Sequence, residues 1–263
     1  MDSFAIVPPR SARRPLVAHV PHASTFIPPA ARELILLDDA ALERELARMA
    51  DWHTEDLYSW VLDLGGSMFV NRVSRLVMDP ERFADDVDEP MSRVGQGVVY
   101  TKTADGEPLS RIDPAERQRR VRDLYDPYHA ALTDLVASML DEFGECTILD
   151  CHSFPSVPLP SEKDKTPDRP DICIGTDDFH TPPALADALE ESLVREGFRV
   201  GRNSPFDGSL VPLRYWREDP RVTSVMIEVR RDLYCDEATG QRAAGYADVR
   251  ASLLRAVAAV MGA

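Results

Sequence analysis

Four short stretches carry side chains that can do chemistry together: Pro21-His22-Ala23-Ser24, Asp51-Trp52-His53-Thr54-Glu55, Asp150-Cys151-His152-Ser153 and Val225-Met226-Ile227-Glu228-Val229-Arg230. Two imidazoles and a carboxylate are ligand types that a hydrolytic zinc ion takes, with a further position left for water. The ion lowers the pKa of that water from about 15.7 toward ~7. A nearby carboxylate then moves the water proton to the leaving amine, a role worth roughly 10²- to 10⁴-fold. The chain has no His-Glu-x-x-His pair, so such ligands lie far apart in sequence and the fold must gather them.

The elements around these residues are suited to that task. Thr147 to Ser153 reads as a buried strand, and its period of two puts Ile148, Asp150 and His152 on one face and Leu149, Cys151 and Ser153 on the other. Asp150 can therefore orient the His152 imidazole. Pro15 to Val20 is a second core strand that breaks at Pro21, which leaves His22 just beyond a strand end, where α/β proteins place their sites. His19 points the opposite way and reads as a packed core histidine. From Pro28 to about Gly65 the pattern is helical, and Asp51 and Glu55 fall four apart on one helix face, where paired like charges call for a cation or an arginine nearby.

Ser74 to Asp79 reads as further strand material, and Arg72, Arg75 and Arg82 offer guanidinium forks suited to carboxylates. Residues 84 to 110 read as a long loop or hairpin over the surface, placed to form part of a site rim. Asp113-Pro114-Ala115-Glu116 opens helices that cover the sheet, with His129 structural within them. In the nearly continuous apolar run from Val222 to Arg230, Glu228 is costly to bury without a partner or a job. Arg230, on the same face, is the bland partner. A helix through Val249, Leu253 and Val257 closes the chain.

Composition limits the alternatives. The chain of 263 residues is 44% hydrophobic and 29% charged, enough for one large globular domain, so residues 1–263 are expected to form a single catalytic unit. A net charge of −15 argues against a nucleic-acid partner, whose phosphates need a basic footprint. No apolar stretch is long enough for a signal peptide or a membrane span. The four cysteines show no CxxC spacing and read as reduced thiols in a cytoplasmic protein. A cysteine hydrolase built on Cys151 and His152 is disfavoured because adjacent strand residues face opposite ways.

These stretches, together with Ser74 to Arg82, Pro170 to Thr176 and the run through Arg231, resemble in order the N-formylglutamate amidohydrolase family. The resemblance implies an α/β fold in three layers, a mixed, mostly parallel sheet flanked by helices, similar to the zinc carboxypeptidases. It also implies Zn2+ held by His22, His152 and an acid of the Asp51 stretch, with Asp51 favoured over Glu55. Glu228 is implied as general base, Arg75 and Arg82 as holders of the substrate carboxylate, and Asp150, Ser153 and Glu55 as supports beside the ligands. Where the family has Asp-Leu-Asn-Arg this chain has Asp79-Pro80-Glu81-Arg82, which adds a charge beside the carboxylate clamp. The expected activity is hydrolysis of N-formyl-L-glutamate or a related N-acyl amino acid. The alternatives are a small peptidase or deacylase, and a non-catalytic protein that binds an acidic metabolite. The sequence is silent on oligomeric state.

Overall fold

The computed structural model describes residues 3–262. Strands β1 (Phe4–Val7), β2 (Leu16–Val20), β3 (Ser67–Asn71), β4 (Cys146–Phe154), β5 (Ile172–Gly175), β6 (Val200–Arg202) and β7 (Val222–Arg230) form one sheet in the order β1-β3-β2-β4-β7-β5-β6. β1 pairs antiparallel with β3 and β5 antiparallel with β7, and the other four pairings are parallel. The helices are α1 (Pro29–Arg32), α2 (Asp39–Met49), α3 (Thr54–Leu57), α4 (Pro114–Arg120), α5 (Asp126–Phe143), α6 (Pro183–Arg195) and α7 (Tyr246–Met261).

The central strands are apolar on both faces because both faces are covered. Ala18, Leu149, Val225 and Ile227 pack with Leu189 of α6 and Leu253 and Val257 of α7. Val17, Phe69 and Ile148 pack on the opposite side against Tyr128, Leu132 and Val136 of α5. The result is the expected mixed sheet between helical layers. Because β2, β4 and β7 are parallel neighbours, their carboxyl ends open onto the same edge, and the chain places its reactive side chains there. No helix among the described residues is long and apolar enough to cross a membrane.

Local sequence explains how the helices start and how they join. Asp38 caps α2 by accepting from the Ala41 amide at 2.8 Å, and Asp113 caps α4 by accepting from the Glu116 amide at 2.8 Å, with Pro114 in the first turn. A π-helical turn over Val121–Tyr125 joins α4 to α5 and buries both of those residues.

Two expectations need correction, and β1, an edge strand antiparallel to β3, was not read from the sequence. Ser74 to Asp79 is turn rather than strand, since the Ser74 side chain and carbonyl hold the following amides locally. The helical pattern from 28 to 65 is also interrupted: α2 ends at Met49, Ala50 is extended, and His53 takes a left-handed conformation at φ 62° before α3 begins. Asp51 and Glu55 therefore share no helix face.

Candidate metal centre and active site

His22 follows β2 in a turn fixed by the buried Asn71 at the end of β3, whose Nδ2 donates to the Pro21 carbonyl at 2.8 Å. The Asp51 amide donates to the His22 carbonyl at 3.0 Å, so the break between α2 and α3 is tied to the β2 end. His152 near the end of β4 stands in register with Glu228 of β7. The His22 and His152 ring centroids are 5.1 Å apart. His22, Asp51, His152 and Glu228 are all buried and line one cavity of about 520 Å³.

Each imidazole is held by a carboxylate on one edge and faces Asp51 with the other. His22 Nε2 donates to Asp79 Oδ1 at 2.9 Å, and His152 Nε2 lies 3.1 Å from Asp150 Oδ1. Asp51 Oδ2 sits 3.2 Å from His152 Nδ1 and 3.7 Å from His22 Nδ1, and His22 Nδ1 has no hydrogen-bond partner. A carboxylate accepts only, and a neutral imidazole has a single N–H. With Nε2 committed, the Nδ1 lone pairs and the Asp51 oxygen converge and need a positive charge between them. That is the donor set of two nitrogens and one oxygen that suits zinc, with the outer nitrogens fixed by carboxylates as metal-binding histidines usually are. Ligand atoms of His22, Glu81 and His152 also lie within 4.8 Å of one another, so the residues present fit a divalent ion.

The electrostatics carry the same demand. Burial and Arg75 push the His22 pKa down, but Asp79, Glu81 and Asp51 outweigh them and raise it. His152 is raised well above its ordinary value against burial, by Glu81, Asp150 and Asp51. Burial opposes ionisation of Asp51, yet contacts with His152 and His22 hold it below the usual carboxylate range. Glu228 is different: burial pushes its carboxyl up to about 8, and Oε2 has no hydrogen-bond partner.

Most of the residues singled out in the sequence meet here. Asp150 Oδ1 also accepts from His19 Nδ1 at 2.7 Å, while Oδ2 accepts from the Leu210 amide at 2.9 Å, so its carboxylate is fixed from several sides. The Ser153 amide donates to Asp51 Oδ2 at 3.3 Å. Arg75 Nη2 donates to Asp79 Oδ2 at 2.9 Å, and Arg82 lies 3.7 Å from the same oxygen. His19 is fully buried between Asp150 and the Tyr128 hydroxyl. Glu55 is not in the cluster, because with the helix broken it reaches outward and pairs with Arg72 at 2.6 Å. Arg230 does not pair with Glu228 but with Asp171, at 3.1 Å.

Other contributors were not assigned from sequence. Asp79 is fully buried, and its Oδ2 also accepts from the Tyr100 hydroxyl at 2.7 Å, so it links His22 to the arginines. Glu81 spans the outer nitrogens, 3.0 Å from His152 Nε2 and 3.7 Å from His22 Nε2. Arg231 lies against the same cavity. The signal for Asp79 was an acid directly after the apolar run Leu76-Val77-Met78. No comparable signal marked Tyr100.

Comparison with known proteins gives the family. Residues 14–235 match the family model described as N-formylglutamate amidohydrolase. The chain is 31% identical over 237 residues to N-formylglutamate deformylase of Pseudomonas aeruginosa, covering 87% of this chain and 85% of that one. A protein of the same name from Pseudomonas putida is 28% identical over 232 residues, covering 86% and 83%. Among solved structures, the N-formylglutamate amidohydrolase of Ralstonia eutropha superposes with a TM-score of 0.87 at 28% identity, covering 100% of this chain and 98% of its own.

Proposed function

Since the chain belongs to the N-formylglutamate amidohydrolase family, we propose that it is a zinc-dependent hydrolase of a linear amide, acting as one catalytic domain and converting N-formyl-L-glutamate and water to formate and L-glutamate. One observation carries the zinc assignment: two buried imidazoles, each held at Nε2 by a carboxylate, turn Nδ1 toward the same Asp51 oxygen. His22, His152 and Asp51 would hold the ion. Glu81 also converges with His22 and His152, but on the Nε2 side, where Asp79 and Asp150 stand, and we therefore assign the third ligand to Asp51.

Zinc bound by these residues supplies Lewis-acid polarisation of the amide carbonyl and a water nucleophile near neutral pH. Glu228, in register with His152, accepts the proton of the attacking water through its unpartnered carboxylate oxygen and returns it to the amide nitrogen as the C–N bond breaks. Asp150 and Asp79 keep the two imidazoles in the tautomer that presents Nδ1. Arg75 and Arg82 together face Asp79, two guanidinium groups against one carboxylate, and so retain charge for one carboxylate of the substrate.

The test pairs metal content with turnover. Zinc near one equivalent by mass spectrometry, hydrolysis of N-formyl-L-glutamate, and loss of activity on chelation with recovery on adding zinc are the expected results. A metal-free protein that turns over undiminished removes the zinc assignment, and a zinc-loaded protein inert to N-formylglutamate removes the substrate.

A further inference from the structure

A substrate such as N-formyl-L-glutamate carries two carboxylates, and Arg75 with Arg82 accounts for one. The cavity holds another cation whose charge is uncommitted. Arg231 opens the turn directly after β7, three residues beyond Glu228. Its residue is only 3% exposed, yet it lines the cavity. Nη1 donates to the Arg48 carbonyl at 2.9 Å and the Ala47 carbonyl at 3.3 Å, and Nε is buried with no hydrogen-bond partner. Among the described residues no carboxylate pairs with it, whereas its neighbour Arg230 has Asp171 and Asp232, and Arg48 has Asp105 and Glu45.

A buried guanidinium without a counter-ion is costly to keep. The carbonyls at the end of α2 offset part of that cost, since a helix C-terminus carries about half a negative charge. The remainder calls for an anion, and a carboxylate matches both the charge and the planar fork. We propose that Arg231 is the second carboxylate subsite of the cavity, so that a dicarboxylic N-acyl amino acid is held with one carboxylate at Arg231 and the other at Arg75 and Arg82. This rests on the amidohydrolase reading for the orientation of the substrate, but not for the binding. It makes the site selective for diacids: a monoamide of the same length leaves one of the two cationic positions without its partner.

Equilibrium binding tests this apart from turnover. Calorimetry on the zinc-loaded protein carrying Glu228→Gln, with and without Arg231→Met, would compare N-formyl-L-glutamate with its two monoamides, N-formyl-L-glutamine and N-formyl-L-isoglutamine. Arg231→Met is expected to weaken N-formylglutamate by roughly 10- to 100-fold, the range of a charged hydrogen-bonded pair. It should weaken one monoamide similarly and leave the other unchanged, because that ligand already lacks the carboxylate Arg231 holds. A structural role at the end of α2 would weaken all three alike, and that result overturns the proposal. So does a parent protein that fails to prefer the diacid over both monoamides. If the methionine variant does not fold, Arg231→Lys keeps the charge without the fork; an intermediate loss confined to the same two ligands supports the subsite, and equal loss or no loss for all three overturns it. Hydrolysis by the protein with Glu228 intact reads the amidohydrolase assignment separately, since a diacid bound but never cleaved ends that assignment and leaves Arg231 standing.

Discussion

Replacing Glu228 with Gln isolates the proton-transfer step, because the structure makes the exchange nearly silent elsewhere. The residue is 7% exposed, its Oε2 has no hydrogen-bond partner, and Gln has the same shape. None of the contacts that fix His22, His152 or Asp51 passes through it. Zinc affinity is therefore expected to stay within about threefold of the parent, since the ligands and the carboxylates behind them are untouched. What is lost is the acceptor for the water proton, worth roughly 10²- to 10⁴-fold, or about 3 to 5 kcal/mol of barrier. That loss falls on kcat, with KM little changed, because the group acts in the transition state rather than on the ground state. Stability should not fall, since burial already pushes the Glu228 carboxyl up to about 8 and the amide brings no charge to desolvate. The assay is steady-state hydrolysis of N-formyl-L-glutamate alongside zinc content and thermal unfolding. A Glu228→Gln enzyme with kcat close to the parent, zinc still bound, would refute the assignment of Glu228 as the base.

Three further expectations follow from the same contacts. Asp150→Asn replaces the carboxylate that fixes His152 Nε2 at 3.1 Å, so zinc should bind about 10- to 100-fold more weakly in chelator competition; an unchanged affinity would show that His152 needs no such support. Arg75→Ala should raise KM for acidic substrates and also cost about 3 kcal/mol of folding stability in denaturant titration, because it removes a partner of the fully buried Asp79, and a change in neither would place the clamp elsewhere. Burial lowers the His129 pKa to about 4, below the ordinary 6.5, so the unfolded chain takes up a proton there that the folded chain refuses, and stability present above pH 6.5 is lost as pH falls toward 4, by at most about 3 kcal/mol. His129→Phe should flatten that slope in urea unfolding at pH 7 and pH 5, and identical slopes in variant and parent would remove His129 from the account.

The parts of the site that were legible in sequence are those dictated by long-range periodicity. β2, β4 and β7 are continuous apolar runs, and a run that is buried on both faces and ends in a histidine or holds a lone glutamate announces both the strand and the site. The alternation of faces also placed Asp150 with His152 and separated Cys151 from them. Asp51 was favoured over Glu55 by the family resemblance, while the helix face read for the two of them does not exist. Its four-residue spacing from Glu55 suits a helix equally well, and the break between them depends on His53 adopting a left-handed conformation, which no glycine signalled. Arg75, in Arg72-Val73-Ser74-Arg75, and Arg231, in Arg230-Arg231, carry no sequence signal that separates them. Only the fold distinguishes them, since Asp79 and Tyr100 come from loops that bring no periodicity, while Arg231 is left without an acid.

The central claim is that His22, His152 and Asp51 share one zinc ion through the Nδ1 atoms of the two imidazoles. Anomalous diffraction at the zinc edge from crystals of the zinc-loaded protein measures this directly. A single peak within about 2.0–2.2 Å of both Nδ1 atoms and a carboxylate oxygen of Asp51 is the expected result. A peak against the Nε2 atoms beside Glu81, or none at the cluster in zinc-loaded crystals, would contradict it.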